Sequence, residues 1–256
     1  MRLASILFVT CLAVAATSAA AEARPAGIAA LKPVGPKLLE PVLRLAPSGS
    51  ARGRVALTLD ACGGRTDTRI LDALVENRIP ATIFVTGIWL RHNAPALAVM
   101  LAHPELFELE NHGAHHKAAV DAPATVYGVR TAGSPEAVTA EVAGGASAMV
   151  AAGIPAPHWF RGATGKYDRS AMTLIARLGF RIAGYSLNAD GGSLLGAAAT
   201  ERRVEHARDG DVIIAHINQP AHAAGEGLVK GLLALKARGV TFVKLNDAPE
   251  VGKGSA

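Results

Sequence analysis

Residues 54–64 read RVALTLDACGG: an apolar run closed by a carboxylate, Asp60, and followed within four positions by two glycines. Branched residues in so short a run describe a buried strand, and the glycines describe the chain leaving it. The strand therefore delivers an acid at its carboxyl end. Working outward, similar runs recur at ATIFVT (81–86), FELEN (107–111), HWFRG (158–162), RIAGYS (181–186), DVIIAH (211–216) and VTFVKL (240–245).

Helices are expected between them at 67–78, 88–102, 135–152, 168–178, 198–208 and 224–238. Asp67 and Asp168 sit where N-terminal caps belong, and Gly179 and Gly239 where helices stop. Strand and helix in repeated alternation mean a parallel sheet covered by helices. Seven strands in one domain point to a barrel-like closure. Residues 117–134, which include Tyr127 and Arg130, form a longer loop than the others.

The chain has 256 residues, half of them hydrophobic, enough for one sizeable core. Residues 1–21 carry one basic residue, an apolar run and a small-residue end at Ala19-Ala20-Ala21, the pattern of a secretory signal peptide. A membrane anchor is the weaker reading, because small and polar residues interrupt the run. A lipid-attachment site at Cys11 lacks the usual preceding residues. Cleavage after Ala21 would leave 25 basic against 21 acidic residues, and Cys62 as the sole thiol. The protein is then expected to be exported, periplasmic or secreted, with no internal disulfide and no transmembrane segment. Residues 22–50, with five prolines, read as a linker or arm lying along a domain that spans 51–250. No basic run with interleaved aromatics appears, which argues against nucleic acid as a partner.

The ionisable residues fall at strand ends. Asp60 ends the first strand, His112 and His116 follow the third, Arg161 ends the fourth, Asn188 and Asp190 follow the fifth, and His216 ends the sixth. In parallel α/β folds these ends share one face, where sites gather. His112 and His116 are four apart, so on a helical turn both imidazoles would point the same way and grip a metal. His115 would point elsewhere. Each residue has an ordinary alternative: a polar loop for the histidines, a cap for Asp60, a satisfied core histidine for His216, a buried counter-charge for Arg161.

Taken in order, these residues resemble the polysaccharide deacetylase family, the NodB-homology domains of carbohydrate esterase family 4, over about residues 54–245. The resemblance implies a distorted (β/α)7 barrel. Thr58-Leu59-Asp60-Ala61 matches the motif in which the first aspartate is the general base, while the second, a metal ligand, falls on Ala61. Asn111-His112-Gly113-Ala114-His115-His116 matches the metal-binding histidine motif. Phe160-Arg161-Gly162 keeps the arginine that orients the aspartate. Ser186-Leu187-Asn188-Ala189-Asp190 puts Asn188 at the usual aspartate position, with Asp190 near enough to substitute. Ile213-Ile214-Ala215-His216 supplies the general acid.

The resemblance implies a divalent metal, zinc first with cobalt or nickel as alternatives, held by His112, His116 and Asp60. Catalysis would fall to Asp60, His216, Arg161 and Asp190, on a glycan substrate. Trp159 and Tyr167, beside Arg161, are the candidates for stacking on it, with a core position in the strand as the ordinary alternative for Trp159. The missing second aspartate leaves three alternatives: Asp60 itself as ligand, the Cys62 thiolate, or two histidines with extra water. Asp60 in direct contact with the metal or its water is preferred, with Cys62 as a small buried hydrophobe. The expected activity is N-deacetylation of an envelope polysaccharide or oligosaccharide. Hydrolysis of another amide or an O-acetyl ester, and non-catalytic glycan binding, are the competing readings.

Overall fold

The computed structural model describes residues 37–248. The signal peptide, Cys11, the first part of the expected linker and the last positions of the expected domain lie outside the described residues. Among the described residues no helix is long and apolar enough to cross a membrane.

The chain runs β1 (Arg54–Ala61), α1 (Thr68–Glu76), β2 (Ala81–Val85), α2 (Gly87–His92), α3 (Ala94–Ala102), β3 (Phe107–Asn111), β4 (Thr125–Val126), β5 (Val129–Arg130), α4 (Pro135–Ala151) and β6 (Trp159–Phe160). It continues through a 3₁₀ turn (Ala163–Gly165), α5 (Arg169–Arg177), β7 (Arg181–Ile182), β8 (Leu187–Asn188), α6 (Ala197–Glu205), β9 (Val212–His216), α7 (Ala224–Ala237) and β10 (Thr241–Val243). Eight strands form one sheet in the order β7-β6-β3-β2-β1-β9-β8, with β10 beside the start of β1. Every pairing in it is parallel. The sheet curls into the distorted (β/α) barrel that the sequence predicts.

β1 alternates as a strand buried on both faces must. Leu57, Leu59 and Ala61 pack outward with Ile70 and Leu74 of α1 and Leu228 and Leu232 of α7. Ala56 packs inward with Phe84, Trp159, Val212 and Leu245. Thr58 and Asp60, which share the inward face, are buried too.

β7 and β8 are consecutive in the chain yet lie at opposite ends of the sheet order. Of the expected strand 181–186 only Arg181–Ile182 is strand; residues 183–186 lead across to β8, and the barrel stays open there. Two groups fill the gap. The Arg161 guanidinium donates to the carbonyls of Ala183 and Gly184. Residues 39–45 then lay an arm across the opening, with Leu43 N–H donating to Tyr185 O, Leu45 N–H to Gly210 O, and Leu39 paired with Tyr167. Leu43 and Leu45 are buried in the barrel interior. A β-carbon on Gly184 would overlap the Pro41 carbonyl oxygen, so the arm passes only because this residue has none.

Local signals hold where they rest on caps. Asp67 and Asp168 accept from the backbone of Arg69 and Ala171, and Gly179 and Gly239 take positive φ at helix ends. The expected helix 88–102 is divided at Asn93, whose amide leaves the helical register to bond Thr66 and Gly64, with Pro95 restarting the next helix. The loop 117–134 contains the β4–β5 hairpin, turning at Tyr127-Gly128 with positive φ at both residues.

Two substitutions test this closure. Gly184→Ala should destabilise by about 1–3 kcal/mol through overpacking against the arm, measured by urea unfolding. Arg161→Met should cost more, about 3–5 kcal/mol, because it strands a buried carboxylate; equal midpoints for the two variants and the parent would contradict the account.

Candidate active site

The strand ends bring the polar residues to one face. Asp60 and His216 stand in register on the neighbouring strands β1 and β9, so their side chains share a side of the sheet. Arg161 is fully buried beside them. Its Nη1 donates to Asp60 Oδ1 at 2.9 Å and to Thr58 Oγ1 at 2.9 Å, and its guanidinium lies 4.3 Å over the Phe84 ring. Burial pushes the Asp60 carboxyl up, but His112, Arg161 and His216 outweigh it and hold it below the usual range.

His112 follows the last residue of β3. Its Nδ1 meets the Arg161 carbonyl at 2.6 Å; as donor there, it leaves Nε2 with a free lone pair. Nε2 is 3.7 Å from Asp60 Oδ2 and 3.5 Å from Cys62 Sγ. The segment to His116 is not the helical turn that the spacing predicts. It is a loop, bent by positive φ at Gly113 and at His116, and it brings the two rings to 5.1 Å between centroids. Buried Glu141 of α4 secures it by accepting from the backbone N–H groups of His115 and Lys117, while Asn111 Oδ1 accepts from Gly113 N–H. Gly145 lets α4 approach, since a β-carbon there would overlap Asn111 Oδ1. His115 points outward toward Glu141 and solvent.

Asp190 lies buried after β8 and accepts twice from His216: from the backbone N–H at 2.7 Å and from Nδ1 at 3.0 Å. Burial pulls the His216 imidazole down, but its bonds to Asp190 and Cys62 raise it well above the ordinary range. The charged form is thereby favoured. Asn188 lines the cavity over these groups, its Oδ1 accepting from Gly191 N–H in the turn that carries Asp190.

Ligating atoms of Cys62, His112 and His116 lie within 4.8 Å of one another. Thiolate and neutral imidazole are the donors zinc prefers, so the set fits a divalent cation. Burial pushes the Cys62 thiol up, yet the neighbouring histidines, His112 foremost, bring it well below the usual value. Asp60, with one carboxylate oxygen engaged by Arg161, stands beside this set rather than within it.

The cavity over these groups measures about 450 Å³. Trp159 and Tyr167 do not reach it. Both are fully buried: Trp159 faces the barrel interior, bonds Asn246 and stacks with Arg181, and the Tyr167 hydroxyl accepts from Gly162 N–H. The wall is formed instead by Tyr127, Tyr185, Leu194 and Glu40. Glu40 arrives on the arm, bonded to the Tyr185 hydroxyl and to Lys166. No local pattern marks it; only the packing of the arm could have found it.

A family model described as polysaccharide deacetylase matches residues 48–183. Among solved structures, a carbohydrate esterase family 4 pseudoenzyme from Bacillus anthracis is 18% identical, covering 80% of this chain and 67% of its own, with a TM-score of 0.63. A peptidoglycan N-acetylglucosamine deacetylase is 19% identical, covering 81% and 91%, with a TM-score of 0.64. A family 4 carbohydrate esterase from Streptomyces lividans, solved with acetate, is 20% identical, covering 77% and 93%, with a TM-score of 0.61. No curated protein matches by sequence. With a matching family model over half its length, on a barrel that gathers the motif residues at one rim, this chain belongs to the polysaccharide deacetylase family.

Proposed function

We propose that the protein is an exported, metal-dependent N-deacetylase that releases acetate from N-acetylated sugars of an envelope polysaccharide or oligosaccharide. Its structural neighbours include deacetylases and a pseudoenzyme, so the fold alone does not decide for catalysis. The observation that carries the reading is the pairing of two oppositely tuned groups across one cavity: Asp60 held ionised by Arg161, and His216 held charged by Asp190. A binding protein has no use for both.

When bound at His112 and His116, a divalent cation supplies a Lewis acid for the acetamide carbonyl and acidifies a water. Asp60 takes the proton of the attacking water, and Arg161 keeps its carboxylate aimed and charged. His216 donates from the ring nitrogen that Asp190 does not engage, first to the developing oxyanion by hydrogen bond and then by proton transfer to the leaving amine. Water adds across the C–N bond, giving acetate and a free amino sugar. Tyr127 and Leu194, 78% and 80% exposed, offer apolar faces at the cavity wall that suit a sugar ring. Export rests on the N-terminal apolar run and its small-residue end.

Protein stripped with a chelator should release no acetate from peptidoglycan or chitin oligomers, and resupplied zinc should restore it. His216→Ala should lower turnover by about 10²–10⁴-fold while still binding the oligomer. Metal-loaded protein that binds these glycans and releases nothing would contradict the enzyme reading and favour a binding protein.

A further inference from the structure

Resting on the metal-dependent reading above, we propose that Cys62 is the third protein ligand of the cation, in place of the aspartate that the family motif carries at the position of Ala61. The strand period explains the change of position. Ala61 is fully buried among the outward residues of β1, packed with Leu57 and Leu59 in the layer between sheet and helices. A carboxylate directed that way would enter an apolar shell. Cys62 lies two residues beyond Asp60, and so on the cavity side, where its side chain lines the wall beside His112 and His116.

The backbone is fixed at this point. Thr86 N–H donates to the Ala61 carbonyl and the Thr86 hydroxyl to the Cys62 carbonyl, tying the end of β1 to the end of β2. The donor spacing also suits the role. A tetrahedral zinc with sulfur at about 2.3 Å and nitrogen at about 2.0–2.1 Å places the two donors roughly 3.5 Å apart. Cys62 Sγ and His112 Nε2 are 3.5 Å apart. Three protein ligands leave a fourth position for water or substrate, the pattern of catalytic sites. Asp60, engaged by Arg161, is then free of ligation and acts as base. A thiolate keeps the single negative charge of an aspartate but is softer, so the site selects zinc or cobalt over magnesium or manganese.

The test uses the full chain with Cys11→Ala, which leaves Cys62 as the only thiol, stripped and loaded with cobalt(II). Thiolate ligation should give a near-ultraviolet charge-transfer band, and cobalt should protect Cys62 from alkylation. Cys62→Ser should abolish the band and weaken cobalt binding by roughly 100-fold. Cys62→Asp should retain cobalt without the band, and His115→Ala should retain both. If Cys62→Ser does not fold, protection from alkylation in the chain that keeps Cys62 decides the matter. Cobalt bound with no band, and with alkylation at the metal-free rate, would overturn the proposal and leave the metal-dependent reading standing. No cobalt binding at all would overturn both.

Discussion

The buried pair between Asp60 and Arg161 is the interaction on which both the barrel and its site depend. Arg161 has no exposure, and the four hydrogen bonds from its guanidinium reach Thr58 and Asp60 on β1 and the carbonyls of Ala183 and Gly184 in the gap between β7 and β8. Its own carbonyl meets His112 Nδ1. One residue thus joins the central strand, the opening of the sheet and the histidine loop. Such a charge is tolerated at this depth because its guanidinium meets four acceptors and an aromatic ring, and because the carboxylate it opposes is buried with it. Loosening the barrel at its opening would therefore also disturb the aim of Asp60.

Around this pair the chain uses small residues to let polar loops be secured by backbone contacts. Gly145 and Gly113 let the histidine loop lie against α4, where Glu141 accepts from two of its N–H groups. Gly184 lets the arm cross the open edge, and the arm brings Glu40 to the cavity wall. The arm is in this sense part of the site as well as part of the core, with Leu43 and Leu45 buried on its way.

The features legible in the sequence were those set by period and by local chemistry. The run Val55–Leu59 announced a buried strand with an acid at its end, and Asp67, Asp168, Gly179 and Gly239 marked helix ends that the structure keeps. What escaped was set by distant contacts. Spacing alone put His112 and His116 on a helical turn, whereas positive φ at two residues of a loop brings them together. Trp159 and Tyr167 sit near Arg161 in sequence, and proximity suggested a stacking surface. Their burial follows from the interior register of β6 and from the Gly162 amide that needs the Tyr167 hydroxyl. Tyr185 and Glu40 meet at the cavity from positions 145 residues apart, a contact that no window of sequence contains.

The central claim is that a soft donor set stands beside an independently held base. Anomalous diffraction at the zinc edge, from crystals of the zinc-loaded protein, locates the cation directly. The account predicts a single peak bounded by Cys62 Sγ, His112 Nε2 and His116, with Asp60 still paired to Arg161. A peak ligated by Asp60 with its bond to Arg161 broken, or no peak at this rim of the barrel, would contradict it.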